Sequence, residues 1–223
     1  MSQIGTMGTT PGETLTLNLP YTPQFISVGN TYAGTLELTN FSVSINGQET
    51  INLVGADNID SVGQARRQVN AQDNAGGAGL PYTYLEITDG FISAPTLIRL
   101  TNEGSNANIV YGVSKAVGTA PYRYSQFTVN ATSNQEFSDF DSILLNDSAS
   151  IDSVEIQWVD GYKDRYNYLE LPVLFGDMYS ANNQSMFSAS GDISYINNED
   201  GNIANMTVYT NATSSVTCTV GRI

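Results

Sequence analysis

The sequence predicts an all-β protein with very little helix. Apolar residues alternate with polar ones in short runs along most of the chain, as half-buried strands require. Asn-Gly and Asp-Gly pairs punctuate those runs as turns do. Only residues 57–70 space their apolar side chains as a helix would.

In order along the chain, Leu15, Leu17 and Leu19 share one face of an extended run over 14–19, and a second strand is expected over 24–28. Residues 35–38 lead into Phe41, Val43 and Ile45. Asn46-Gly47 then supplies the two positive-φ positions of a type I′ turn, and Ile51 and Leu53 continue the alternation beyond it. This is the clearest hairpin in the chain. In 57–70, Asp60 or Ser61 would cap a short helix ahead of Val62, Ala65, Arg66 and Val69, and Gly76-Gly77-Ala78-Gly79 with Pro81 would break it. Further strands are expected over 82–87, 96–101, 109–113, 122–129, 142–145, 153–159, 166–171, 186–190, 193–196, 206–210 and 215–220. Asp89-Gly90, Asp160-Gly161 and Asp200-Gly201 mark turns, and 175–183 reads as irregular.

A chain of 223 residues can bury one large β-core or two smaller ones. Phe41–Gly47 and Val154–Gly161 enter hairpins in similar settings, so the halves look alike in pattern. Val117-Gly118-Thr119-Ala120-Pro121 is the natural seam. A first β-barrel domain is therefore expected over 1–118 and a second over 119–223, in tandem or with one nested in the other. Eight strands per half is the strand count of a jelly roll. Seven-stranded immunoglobulin-like sandwiches fit nearly as well, without their Cys…Trp…Cys signature.

Composition narrows function. The chain has no histidine, and 8 Lys+Arg stand against 22 Asp+Glu. Without imidazole, Ser-His-Asp and Cys-His nucleophile systems are impossible within one chain. The two lysines, Lys115 and Lys163, lie in no S-x-x-K motif. The expectation is a protein that is not an enzyme and has no cofactor or metal. A net charge of −14 opposes direct binding to nucleic acid and to anionic lipid. It suits either an acidic surface protein or one adapted to molar salt, and lysine depletion favours the second. No run approaches a membrane span, and residues 1–19 lack the basic and apolar regions of a signal peptide. A β-rich chain of this kind suggests a particle assembled in the host cytoplasm.

Several residues invite a site. Asn197-Asn198-Glu199-Asp200-Gly201 has the oxygen ligands of a calcium loop, but Ile196 stands where the first ligand would be, which favours a turn. Asp139 and Asp141 would project to one side if extended. Six N-x-S/T sequons occur, at Asn40, Asn130, Asn146, Asn183, Asn205 and Asn211, against about four by chance at this composition. Tyr162, Tyr166 and Tyr168, beside Trp158, Lys163 and Arg165, would either stack on sugar rings or pack a core face or subunit contact; packing is favoured. Cys218 is the single cysteine, so no intrachain disulfide forms. It shares a strand face with Val216 and Val220, which gives it two readings: a small buried residue, or a disulfide to a neighbouring subunit.

The hairpin Val43–Ile51, the second turn at Asp160-Gly161, the length and the acidic composition together resemble a virus family. They are similar to the vertical single-β-barrel major capsid proteins of icosahedral, internal-membrane, sphaerolipovirus-like viruses of haloarchaea. The length is similar to the larger of that group's two major capsid proteins. The resemblance implies an upright barrel with a second β-domain stacked on it, in a virion capsid. It also implies self-association, pairing with a smaller single-barrel capsid protein, and contact with vertex (penton) and internal-membrane proteins. The competing classes are a carbohydrate-binding or adhesin β-sandwich module and a carboxylate-dependent glycosidase with a β-sandwich, which would need two carboxyl groups about 5 to 9.5 Å apart in a cleft.

The charge generates a direct expectation. As KCl falls from molar to millimolar, unscreened carboxylates repel and the melting temperature drops progressively. Calorimetry across the salt series measures this, and a melting temperature indifferent to salt contradicts it.

Overall fold

The computed structural model describes residues 2–30, 38–55, 59, 82–102, 108–114, 117–146, 150–167, 170 and 193–222. The strands are β1 (Ser2–Met7), β2 (Thr14–Leu19), β3 (Phe25–Asn30), β4 (Leu38–Ile45), β5 (Gln48–Val54), β6 (Tyr82–Glu86), β7 (Thr96–Asn102) and β8 (Asn108–Val113). They are followed by β9 (Arg123–Val129), β10 (Asn134–Ser138), β11 (Ser142–Asn146), β12 (Ile151–Trp158), β13 (Lys163–Asn167), β14 (Ile193–Asn197), β15 (Ile203–Thr210) and β16 (Val216–Arg222). The chain forms two compact units, Met1–Ser125 with Ile223, and Gln126–Arg222.

In the first unit one sheet has the order β1-β8-β3-β6, and four strands of the other run β2-β7-β4-β5. In the second unit the corresponding orders are β9-β16-β11-β14 and β10-β15-β12-β13. Each strand number in the second unit is eight more than its counterpart in the first. Two four-stranded sheets built from eight strands in this order are a jelly roll, and the chain contains the arrangement twice. The two hairpins whose sequences echo each other, β4–β5 and β12–β13, occupy equivalent positions. A single parallel pairing, Ile51↔Tyr124, joins β5 to the start of β9, and both residues belong to the first unit.

Alternation explains the burial. Across β2-β7-β4-β5, Leu17↔Ile98, Ile98↔Val43 and Val43↔Ile51 form one inward row. The next row, Thr16, Arg99, Ser42 and Asn52, faces out. Ile98, Val43 and Ile51 are fully buried. Gly5 in β1 has no side chain because a Cβ there would lie 2.8 Å from Leu15 Cδ2 and 2.9 Å from Leu17 Cδ2. In the second unit, Val129, Ile143, Leu145, Ile196, Val216, Cys218 and Val220 of one sheet share a core with Phe137, Val154, Ile156, Met206 and Val208 of the other.

The expected seam is not a free linker. Residues 117–122 lie along the turn between β6 and β7, through the bridges Thr88↔Pro121 and Phe91↔Val117. Gly118 N donates to Phe91 O (2.8 Å), Asp89 N to Ala120 O (3.0 Å) and Tyr122 N to Ile87 O (2.9 Å). Asp89 returns the contact through its carboxylate. Oδ1 accepts from Thr119 N (2.8 Å) and Ala120 N (2.9 Å), and Oδ2 from Thr119 Oγ1 (3.0 Å). These bonds, that from Ala120 N first, hold the carboxyl below its ordinary range.

Some expected elements shift. The strand expected over 166–171 begins at Lys163, immediately after its turn, and ends at Asn167. Strands β1 and β10 carry no alternating apolar pattern and are additions to the expected set. The runs over 35–38 and 41–45 are in part a single strand, β4, whose described residues start at Leu38. Of the expected helix only Ile59 is described; it is helical, fully buried, and its N–H donates to Gly55 O (3.1 Å). The expected strand over 186–190, the glycine-rich 76–79 and the irregular 175–183 lie outside the described residues.

Asn46-Gly47 forms the expected turn, with φ of 52° and 80°. A Cβ at Gly47 would meet nothing within 4 Å, so a substitution there reports conformational strain alone. Gly47→Ala is expected to lower stability by about 1–2 kcal/mol. Urea unfolding measures it, with the midpoint falling at constant slope.

Candidate interaction surface

The outer face of β10-β15-β12-β13 is built by the register of its strands. Glu136↔Thr207, Thr207↔Glu155 and Glu155↔Arg165 form one outward row, and Ser138↔Asn205, Asn205↔Gln157 and Gln157↔Lys163 form the next. Every side chain in both rows is polar. Lys163 Nζ lies 3.1 Å from Glu155 Oε1, a contact that raises the lysine's pKa. Arg165 Nε donates to Ser153 Oγ (2.8 Å), its Nη2 lies 3.4 Å from Asp152 Oδ2, and its guanidinium sits 4.1 Å from the centre of the Tyr209 ring. Asn205 Nδ2 donates to Gln157 Oε1 (3.1 Å). The face is a neutralised mosaic, with each described cation against an acid.

The aromatic cluster read from the sequence divides between the two sides of this sheet. Tyr166 pairs with Val154 and Asp164 with Ile156, so both turn inward, away from Lys163 and Arg165. Trp158 and Tyr166 pack against the core of the unit. Asp164 lies between them, accepting from Trp158 Nε1 (3.3 Å) and Tyr166 Oη (3.0 Å) on the same oxygen, Oδ2. Burial first, and then the bond to Asp164, raise the Tyr166 pKa, so the phenol stays a donor. Tyr162, in the turn, is 64% exposed, and Tyr168 lies outside the described residues. No aromatic-lined sugar groove is formed by the described members of the cluster; packing accounts for two of them.

The remaining candidates are turns. Asn198 is buried and spends its amide on the chain itself: Nδ2 donates to Phe140 O (2.9 Å) and Ile203 O (3.0 Å), and Oδ1 accepts from Ile203 N (2.7 Å). Asn197 Oδ1 accepts from Glu199 N (2.9 Å), and Gly201 has a φ of 67°. This closes the β14–β15 turn as turn chemistry, and no metal-binding cluster of acids occurs among the described residues. Between Asp139 and Asp141 the chain turns Phe140 into the core, so the two acids flank a buried ring. Asp139 has a φ of 54°; Arg222 Nε donates to its backbone oxygen and Nη2 to Ser138 O (3.4 Å). Of the sequons, Asn130 lies in an exposed turn, whereas Asn211 Oδ1 accepts from Thr213 N (2.8 Å).

No protein-family model matches the chain, and no curated protein does. Its fold, in contrast, matches solved structures along nearly its whole length. The major capsid protein P2 of Bacteriophage PM2 superposes with a TM-score of 0.61 at 13% identity, covering 97% of this chain and 96% of that one. The STIV MCP gives 0.62 at 9% identity, with 97% and 93% covered. The PBCV-1 protein VP54, fitted into a reconstruction of the virophage Sputnik, gives 0.55 at 10%, with 99% and 92% covered. At these identities the similarity is one of fold.

Cys218 lies on the inward face of β16 with Val216 and Val220, as its spacing predicts, and is fully buried. Burial pushes its thiol pKa up to about 12. A bond to a neighbouring subunit would require β16 to leave the core, so the packing supports the buried-thiol reading over the disulfide. Because the folded pKa is raised, the thiol's contribution to stability is intact below its ordinary value of 9.0 and is lost as pH rises towards about 12. Ellman's reagent should therefore leave native protein unmodified at pH 8 and titrate one thiol per chain in urea. Rapid labelling of native protein overturns the assignment.

Proposed function

We propose that this chain is the shell-forming subunit of a virus capsid, a structural protein that associates with copies of itself. The reading rests on one observation above the others: the fold of this chain matches the major capsid protein P2 of Bacteriophage PM2 and the PBCV-1 virus capsid over more than nine-tenths of either chain. It agrees with a composition that lacks imidazole and with turn carboxylates that accept backbone N–H groups, Asp89 from Thr119 and Ala120 and Asp160 from Tyr162. The polar, internally neutralised face of β10-β15-β12-β13 suits contacts that form and release without exposing apolar surface.

The finer reading, an archaeal virus of high-salt habitat with a smaller single-barrel partner and vertex and membrane contacts, rests on the sequence resemblance. Purified protein in molar KCl, concentrated and viewed by negative-stain electron microscopy, should form sheets or closed particles of regular lattice. Monodisperse monomer at every concentration contradicts self-assembly, and assembly only after adding a second virion protein supports the two-protein shell. A glycan array separates the carbohydrate-binding alternative, which requires saturable binding by protein that does not assemble.

A further inference from the structure

The chain that leaves the first unit is strapped to it by one carboxylate. No apolar side chain of 117–122 is fully buried: Val117 is 86% exposed, and Ala120, Pro121 and Tyr122 are half-buried. What holds them is hydrogen bonding: the backbone bonds through Phe91, Asp89 and Ile87, and the three bonds to the Asp89 carboxylate. The fit is also steric. A Cβ built on Gly118 would lie 2.5 Å from Asp89 Oδ1 and 2.6 Å from Gly90 C, so only glycine lets the strap lie this close. Beneath it Thr88 is fully buried, its Oγ1 directed to the carbonyls of Gly90 and Pro23, so the surface under the strap is satisfied by its own unit.

We propose that Asp89 is a latch and that residues 117–122 are a releasable strap, which detaches from the first unit while the sheets of that unit stay folded. Latched, the strap is part of the first unit. Released, its six residues free roughly 20 Å of extended chain ahead of Tyr124, which stays in the first unit through its pairing with Ile51. Cooperative substructures that open below the global unfolding free energy are built this way, from exposed hydrogen bonds with few apolar contacts. The inference is independent of the capsid reading, since it concerns the isolated chain.

Peptide-resolved hydrogen exchange of the full chain tests it, comparing wild type with Asp89→Ala, Asp89→Asn and Thr119→Ala. In Asp89→Ala the amides of 118–122 should exchange at least about tenfold faster while β2, β4 and β7 keep wild-type protection. Asp89→Asn, which retains one acceptor oxygen, and Thr119→Ala, which removes a single donor, should fall between. Unchanged exchange in 118–122 overturns the latch. So does acceleration shared equally by β2, β4 and β7, which would make the strap inseparable from its unit. Should Asp89→Ala fail to fold, Thr119→Ala decides: local acceleration in 118–122 alone supports the latch, and its absence rejects it.

Discussion

A β-strand sends successive side chains to opposite faces, and a sandwich buries only one of them. That constraint organises both units. In the second, a one-residue slip of β12 against its neighbours would turn Val154 and Ile156 to solvent and bring Glu155 and Gln157 into the core. Each fully buried aliphatic or aromatic side chain contributes roughly 1.5–3 kcal/mol, so the slipped registers are far out of reach. The outer faces, relieved of any part in the core, are where composition is free to vary. There the chain places Thr, Asn, Ser and Gln, and in the second unit Lys163 and Arg165 lie against Glu155 and Asp152.

The chain's carboxylates are spent one at a time: Asp164 on two aromatic donors, Asp89 on the strap, Glu155 on Lys163. The amides of Asn197 and Asn198 close a turn. Charge is also distributed unevenly, with thirteen acids and three bases in 126–222 against nine and five in 1–125. The second unit therefore bears most of the self-repulsion that salt would screen.

The sequence displays the fold wherever one face is apolar. Leu15, Leu17 and Leu19 locate β2 to the residue, and Asn46-Gly47 locates its hairpin, because strand period and positive φ are local properties. Strand β10 escapes that reading since Phe137 is its one apolar side chain, and β1 because its Ile4 and Met7 are three residues apart and do not alternate. Lys163-Asp164-Arg165 precedes the strand expected over 166–171 yet opens β13, where Lys163 and Arg165 meet Glu155 and Asp152 of β12. The aromatic cluster was legible as residues and not as geometry. Which of Trp158, Tyr162, Tyr166 and Arg165 share a face depends on where β13 starts, and a three-residue shift in that start decides it. Asp89 gave no sequence signal beyond Asp-Gly; its partners lie thirty residues away.

Among the described residues β13 is the last strand of its sheet, and Asp164 turns a carboxylate inward from it. An open strand invites another chain to add to it. Any strand laid beside β13 would have to cover a charge already committed to Trp158 and Tyr166. Growth by strand addition, which leads to fibres of indefinite length, is thereby disfavoured at this border. If the chain assembles as proposed, its copies would meet through broad surfaces, the kind of contact that rotation can close into a finite object.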